Sequence, residues 1–166
     1  FVAGWNTYVC VGKDVWSLEY INYGGGRKMI KEISPQKSWD LLQSRPDSTL
    51  LDVRSTMEYL YVGYSVGAVH VPLKEPPEWS PEPDFAEKVR SVLANKTQDA
   101  GNVDSLPVLI ICRSGKRSLE AAEELSRNGF SETFNITEGF EGERDEKNQR
   151  GTVNGWRFHN LPWEQT

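Results

Sequence analysis

Short apolar runs, each bounded by polar or turn-forming residues, recur along the chain from Lys31 onwards. A run of four or five apolar residues between turn signals is typical of a strand that is buried on both faces. Residues 107–111, Pro-Val-Leu-Ile-Ile, show this pattern most clearly, and residues 49–53 share it. Weaker runs at 68–71 and 133–136 complete the set of predicted strands.

Apolar residues at helical spacing lie between these runs. Ser34 followed by Pro35 predicts the start of one helix, because the serine can cap it and proline suits its first position. The spacing predicts a second helix around residues 85–93 and a third over residues 118–128, which Gly129 ends. Strands that alternate with helices predict an α/β domain with a mostly parallel sheet.

The first 30 residues differ from the rest because they are rich in aromatic residues and end near three consecutive glycines. We therefore divide the chain into an aromatic-rich N-terminal arm, residues 1–30, and an α/β domain, residues 31–166. Large rings bury area wherever they pack, which favours an arm that covers the domain. An arm that docks a partner or shields a substrate is the alternative. The charged stretch 142–154 is predicted to be a surface insertion.

Composition predicts a soluble, globular protein, with 37% apolar and 26% charged residues. The net charge of -5 argues against nucleic-acid binding, and the lack of a run of about 18 apolar residues argues against a membrane span. Two cysteines and two histidines without ligand spacing predict no metal site. No signal-peptide pattern opens the chain, so we expect a cytoplasmic protein. Because the first residue is Phe1, a periplasmic location after removal of a signal peptide is the alternative.

The candidate chemistry lies in residues 112–118, Cys-Arg-Ser-Gly-Lys-Arg-Ser, between a predicted buried strand and the helix that follows. Ligands of open α/β sheets bind at the carboxyl ends of strands, and the free N–H groups of a helix's first turn attract anions. Arg113, Lys116 and Arg117 add positive charge. These features favour the thiolate form of Cys112 beside an anionic substrate. A buried structural cysteine is the alternative.

This segment is very similar to the active-site loop of rhodanese homology domains. Further motifs follow in the family's order: Leu-Leu-Asp-Val-Arg at 50–54, Glu-Gly-Phe-Glu-Gly at 138–142, and a tail with Asn-Gly-Trp and Leu-Pro-Trp at 154–163. The resemblance covers about residues 31–166 and is to single-domain, bacterial-type thiosulfate sulfurtransferases of that family. It implies a rhodanese-like α/β fold, whose central, mostly parallel sheet is flanked by helices on both faces.

The resemblance also implies a mechanism. Cys112 would take the outer sulfur of thiosulfate, or of a similar small anionic donor, as a persulfide and pass it to a thiol or protein acceptor. No cofactor and no metal are implied, nor is a nucleic-acid or membrane partner. The implied substrate-binding residues are those of the loop: Arg113, Ser114, Gly115, Lys116, Arg117 and Ser118.

The basic side chains of the loop are expected to differ in role. Arg113 and Lys116 are the candidates to meet the anionic oxygens of the donor. Arg117 either joins them or turns inward and ties the loop to an acidic partner. Glu58, at a position that the family pattern singles out, is expected to be the structural partner of a basic residue.

Two residues of the Asp-Val-Arg motif are candidates for a supporting role. We expect Asp52 to be half of a buried ion pair, since buried charges are normally paired. Arg54 either shares that structural role or acts near the active loop. Cys10 is expected to be an incidental thiol rather than a resolving one, because little positive charge adjoins it.

Three rival functions differ in what they require of this loop. A cysteine phosphatase of the same fold needs Cys, five residues and then Arg, but here Ser118 occupies that place and Arg117 comes one residue early. A non-catalytic binding module would not be expected to keep Cys112 in a basic loop. A persulfide carrier that serves one protein partner and reacts slowly with thiosulfate is an alternative that the sequence leaves open.

Overall fold

The computed structural model describes residues 9–10, 15–23, 26–97 and 102–166, with side chains from Ile30 onwards. The helices are α1 (Pro35–Ser44), α2 (Thr56–Val62), α3 (Phe85–Thr97) and α4 (Lys116–Arg127), with a 3₁₀ turn at Val103–Ser105. The strands are β1 (Val9–Cys10), β2 (Val15–Tyr23), β3 (Gly26–Ile33), β4 (Thr49–Asp52), β5 (Tyr64–Ser65), β6 (Val69–His70), β7 (Val108–Ile111), β8 (Thr133–Ile136) and β9 (Trp163–Glu164).

Seven of the described strands form the central sheet, in the order β1-β2-β3-β8-β7-β4-β6. From β3 to β6 all neighbours are parallel, whereas β1, β2 and β3 pair antiparallel at one edge. The carboxyl ends of β4, β7 and β8 therefore meet at one edge of the sheet, where α/β folds place their ligands. β5 and β9 form a separate antiparallel pair.

Alternate residues of the central strands pack into two apolar cores on opposite faces of the sheet. In β7, Val108 and Ile110 belong to the core that α3 and α4 cover. Leu109 and Ile111 belong to the other core, which includes Trp156 and has α1 packed against it. Every residue of β7 is buried, as expected for a parallel strand covered on both faces. This arrangement confirms the predicted α/β fold with helices on both faces of the sheet.

Most of the locally predicted elements are present with small shifts of their ends. The Ser34 hydroxyl caps α1 and Pro35 is its first residue. α4 begins at Lys116, two residues before the predicted start, because Gly115 in a left-handed conformation already turns the chain into the helix. The strand expected at 68–71 is reduced to two residues, and α2 was not predicted.

The N-terminal strands of the described chain extend the central sheet. β2 and β3 pair along their length as an antiparallel hairpin, and β3 pairs with β8. β3 crosses the boundary that the sequence suggested at residue 30. The predicted packing of the aromatic rings in residues 1–29, and the side chain of Cys10, lie outside the described residues. No helix of the described ranges is both long and apolar enough to cross a bilayer.

Candidate active site

Cys112 directly follows β7 and is 1% exposed. Its carbonyl oxygen accepts a hydrogen bond of 2.7 Å from the N–H of Phe140, and the carbonyl of Arg113 accepts from the N–H groups of Glu141 and Gly142. The turn after β8 thus fixes the backbone on one side of the cysteine. On the other side α4 begins at Lys116 without a side-chain cap, so its first N–H groups face the loop.

Gly115 turns the loop back so that its own N–H points at the sulfur. This N–H donates to Cys112 Sγ at 3.2 Å. The turn requires a φ of +88°, which L side chains rarely adopt. It also requires close packing, because a Cβ at this position would lie 1.9 Å from the carbonyl oxygen of Thr137. Both the conformation and the space therefore demand glycine.

We expect Gly115→Ala to disrupt the active loop, and Gly67→Ala to serve as its matched control. Gly67 also has a positive φ, +78°, but nothing lies within 4 Å of a Cβ added there. Gly67→Ala should cost about 1 kcal/mol for the left-handed conformation alone. Gly115→Ala should cost more than about 2 kcal/mol, because the clash adds to that strain. Urea unfolding measures both, and equal losses would contradict the packing described for Gly115.

Ser118, in the first turn of α4, is the second group in contact with the sulfur. Its hydroxyl oxygen lies 3.2 Å from Cys112 Sγ and 2.7 Å from Oδ1 of Asn135 in β8. Both Ser118 and Asn135 are almost completely buried. The Asn135 Nδ2 donates in turn to a carboxylate oxygen of Glu32 in β3 at 3.3 Å. A line of polar contacts thus leads from the sulfur across two strands of the sheet.

The sulfur lies in a pocket of about 400 Å³ that opens at the carboxyl edge of the sheet. Its described lining residues are Glu58, Trp79, Cys112, Arg113, Ser114, Lys116 and Arg117. Arg113 and Lys116 are exposed, and no acidic side chain among the described residues forms an ion pair with either. A larger depression of about 610 Å³ lies near Lys96 at the opposite edge, and none of its lining residues adjoins the cysteine.

Arg117 pairs with Glu58 of α2, and both side chains line the pocket. Its two terminal nitrogens lie 2.7 Å from the two oxygens of Glu58, a bidentate ion pair. Glu58 also accepts from the backbone and hydroxyl of Ser55, so the pair ties the cap of α2 to the active loop. The contact expected between Glu58 and a basic residue is present, and Arg117 is that residue, in the second of the two arrangements expected for it.

We expect the pair between Glu58 and Arg117 to make stability depend on pH in the acid range. Burial alone would raise the pKa of Glu58, but the hydrogen bonds and charge of Arg117, with the bonds from Ser55, lower it from 4.5 to about 2. A carboxylate with a depressed pKa stabilises the fold above its unfolded value, and that stability is lost as pH falls from 4.5 toward 2. Solvent screening reduces the linkage value of about 3 kcal/mol to about 1–2 kcal/mol.

Glu58→Gln isolates this contribution, with Glu87→Gln as the control because the Glu87 side chain is 75% exposed. Denaturant unfolding at pH 7 should show Glu58→Gln less stable than the unmodified protein. At pH 3 the difference should be smaller, because the unfolded chain then binds a proton at Glu58 while the folded protein still does not. A difference that stays constant between pH 7 and pH 3 would contradict the ion-pair assignment.

Comparison with known proteins supports the same assignment of the fold. The rhodanese-like domain family matches residues 34–145, which is more than half of the chain. The chain belongs to this family. The uncharacterized protein RP600 homolog of Rickettsia rickettsii is 30% identical over 138 residues, or 81% of this chain and 98% of that protein. The crystal structure of Rv0390 from M. tuberculosis covers 81% of this chain and 97% of its own, at 31% identity and a TM-score of 0.65.

Relatives with a described activity are more distant. The thiosulfate sulfurtransferase GlpE of Actinobacillus pleuropneumoniae serotype 3 is 27% identical over 111 residues, which is 67% of this chain and 83% of GlpE. The rhodanese-like family therefore includes sulfurtransferases that are similar to this chain over most of its length.

In this rhodanese-like domain, Asp52 and Arg54 form a fully buried ion pair beside the site. Arg54 Nη2 lies 2.6 Å from Asp52 Oδ2 and Nε lies 3.0 Å from both carboxylate oxygens. Arg54 also donates to the carbonyl of Gly63 at 2.7 Å, and its guanidinium lies 4.1 Å from the centre of the Phe140 ring. The pair thus connects β4, the end of α2 and the turn that holds the Cys112 carbonyl. The buried ion pair expected for Asp52 is present, and Arg54 is its partner.

The charged segment 142–154 of the rhodanese-like domain is mostly exposed, but it also contacts the edge of the active loop. Arg150 donates to the carbonyl of Gly142, whose own N–H bonds to Arg113. Burial lowers the pKa of Arg150, and the positive charges of Arg113 and Arg144 lower it further. The segment therefore adds positive charge next to the pocket mouth.

Two residues of the site were not found from the sequence. Trp79 lies in a proline-rich loop and reaches the pocket only through the fold of that loop. The apolar residues on either side of Asn135 predict only a strand. Its contact with Ser118 depends on how β8 aligns with β7. Neither position has a local pattern that predicts a place in the site.

Proposed function

We propose that this protein is a sulfurtransferase that carries a sulfane sulfur as a persulfide on Cys112, with thiosulfate or a similar small anion as donor. The strongest support for this proposal comes from the groups that surround the sulfur atom of Cys112. Cys112 Sγ lies in a 400 Å³ pocket within 3.2 Å of two hydrogen-bond donors, and the exposed cations Arg113 and Lys116 line the same pocket.

In the first half-reaction the thiolate of Cys112 attacks the outer sulfur of thiosulfate. A new S–S bond forms to Cys112, the bond between the two sulfur atoms of thiosulfate breaks, and its electron pair leaves with sulfite. The transferred sulfur keeps its negative charge and becomes the anionic terminal sulfur of the persulfide. Gly115 N–H and the Ser118 hydroxyl, each 3.2 Å from Cys112 Sγ, can donate to the thiolate before it attacks and again when it is restored.

The donor brings its own leaving group, so the step needs no proton transfer to the substrate. The residues that line the pocket are consistent with a reaction that needs no general acid or base. Its described lining residues include no histidine, and its carboxylate, Glu58, is held by Arg117 at 2.7 Å from both oxygens. Arg113 and Lys116 are then the side chains that meet the sulfonate oxygens of the donor.

In the second half-reaction a nucleophilic acceptor attacks the terminal sulfur of the persulfide. The S–S bond breaks, its electron pair returns to Cys112, and the thiolate is restored. Cyanide becomes thiocyanate in this step, and a small thiol or a protein cysteine becomes a persulfide. We propose a thiol or protein as the acceptor in the cell.

Loop size separates this function from phosphatase chemistry on the same fold. The turn at Gly115 brings its N–H within 3.2 Å of the sulfur, so the loop closes tightly around a single sulfur atom. A phosphoryl group with three oxygens needs a wider ring, and the residue five places after the cysteine is already Arg117, which pairs with Glu58.

We therefore expect the unmodified protein to form thiocyanate from thiosulfate and cyanide, and not to hydrolyse p-nitrophenyl phosphate. The two assays run on one preparation, with thiocyanate and p-nitrophenol measured by absorbance. Thiocyanate formation that saturates with thiosulfate supports the proposal. Hydrolysis of p-nitrophenyl phosphate that exceeds thiocyanate formation would overturn it.

A further inference from the structure

The Ser118 hydroxyl stands between two groups that compete for one proton. Its oxygen lies 2.7 Å from Asn135 Oδ1 and 3.2 Å from Cys112 Sγ. A hydroxyl has one proton to donate, although it can accept at two lone pairs. Ser118 is fully buried, so water does not supply a replacement donor to whichever group is left out. The direction in which the Ser118 hydroxyl points its proton therefore decides whether Cys112 Sγ faces a hydrogen-bond donor or a lone pair.

Glu32 fixes the orientation of the Asn135 amide. Asn135 and Glu32 are register partners on β8 and β3, and Nδ2 lies 3.3 Å from Glu32 Oε1. An ionised carboxylate can only accept, so the amide turns its NH₂ group toward Glu32 and its oxygen toward Ser118. That oxygen also can only accept. Asn135 therefore draws the Ser118 proton away from the sulfur.

We propose that Asn135 is a positioning residue, which, held by Glu32, controls whether the Ser118 hydroxyl donates to the Cys112 sulfur. With the proton on the Asn135 side, Ser118 offers a lone pair to the sulfur, which suits a neutral thiol that donates its own proton. With the proton on the sulfur side, Ser118 stabilises a thiolate or persulfide anion and Asn135 Oδ1 loses its donor. The competition keeps the sulfur anion less stabilised, and hence more nucleophilic, than a free hydroxyl would.

The consequence for catalysis rests on the proposed function, but control of the hydroxyl can be tested without sulfur transfer. Iodoacetamide reacts with the thiolate, so the pH at which Cys112 alkylation reaches half its maximal rate reports how well the anion is stabilised. The other charged groups around the sulfur remain the same in every variant compared below, and their effects cancel. They are the Glu58–Arg117 and Asp52–Arg54 pairs, Glu32, Arg113, Lys116 and Arg150.

Asn135→Leu and Asn135→Asp should move this midpoint in opposite directions. Leucine accepts nothing, so the Ser118 proton turns to the sulfur and the midpoint should fall by about half a pH unit, or about threefold in rate below it. Aspartate keeps an acceptor for the Ser118 proton, and by sharing one proton with Glu32 it brings negative charge closer to the sulfur, so the midpoint should rise. Mass spectrometry of the peptide that contains Cys112 follows the reaction and leaves Cys10 out of the measurement.

Ser118→Ala provides the decisive cross-check, because Asn135 is proposed to act only through this hydroxyl. In the Ser118→Ala background, Asn135→Leu should no longer change the midpoint. Thr133→Val removes a hydroxyl at another buried position of β8 and should leave the midpoint unchanged. A merely structural role would shift the midpoint in the same direction for leucine and aspartate, or would persist without Ser118, and either result would overturn the proposal.

Sulfur transfer in the same variants keeps the two proposals distinguishable. If the unmodified protein gains no sulfur from thiosulfate, the proposed function fails, while the alkylation midpoints still decide the role of Asn135. If it gains sulfur but the midpoints do not move as described, the role of Asn135 fails and the proposed function stands.

Discussion

Cys112→Ser should reduce thiocyanate formation from thiosulfate by at least about 10³-fold, because the active loop then has no sulfur atom on which the persulfide can form. The variant should remain folded. Cys112 is 1% exposed, and serine is smaller and can accept from Gly115 N–H as the thiol does. Circular dichroism and a thiosulfate:cyanide assay on the same sample measure fold and activity together.

Cys10→Ser is the matched control for this loss. It is the same substitution, at the only other cysteine of the chain. Its rate should stay near that of the unmodified protein. Comparable turnover by Cys112→Ser would contradict the mechanism, and a large loss in Cys10→Ser would make Cys10 a resolving thiol.

Asp52→Asn should destabilise the protein by about 3–5 kcal/mol, the largest stability effect that we expect of a single substitution near the site. The side chains of Asp52 and Arg54 are both 0% exposed. Asparagine has nearly the same shape but removes the negative charge and leaves a buried guanidinium without a counter-charge. Arg54 Nη1 already lacks a hydrogen-bond partner, so no described group stands ready to compensate.

Asp47→Asn is the control, since Asp47 pairs with Arg45 at 2.8 Å but both side chains are more than a third exposed. Exposed pairs contribute about 0–1 kcal/mol. Urea unfolding at pH 7 should therefore separate the two variants clearly. Similar losses in Asp47→Asn and Asp52→Asn would show that burial does not set the contribution of the Asp52–Arg54 pair.

The parts of the fold that could be predicted from the sequence are those that local residues determine. β7 is a continuous apolar run, and the cysteine, the glycine and the helix that follow lie next to it in sequence. The side chain of Ser34 and the ring of Pro35 determine the start of α1 in the same way. Here short-range chemistry decides the structure, so the pattern predicts it.

Contacts between distant residues could not be predicted to the same extent. Arg117 and Glu58 are 59 residues apart, so the sequence indicated an ion pair for each without indicating that they pair with each other. β3 has charged residues on both sides of Ile30, which hides its place in the central sheet. Its pairing with β8 comes from tertiary packing, which also brings Glu32 to Asn135.

The most direct test of the proposed sulfurtransferase is the intact mass of the protein after incubation with thiosulfate and removal of small molecules. We expect a gain of one sulfur atom, located on the peptide that contains Cys112 and lost when cyanide is added. An unchanged mass, or a gain that Cys112→Ser retains, would contradict it.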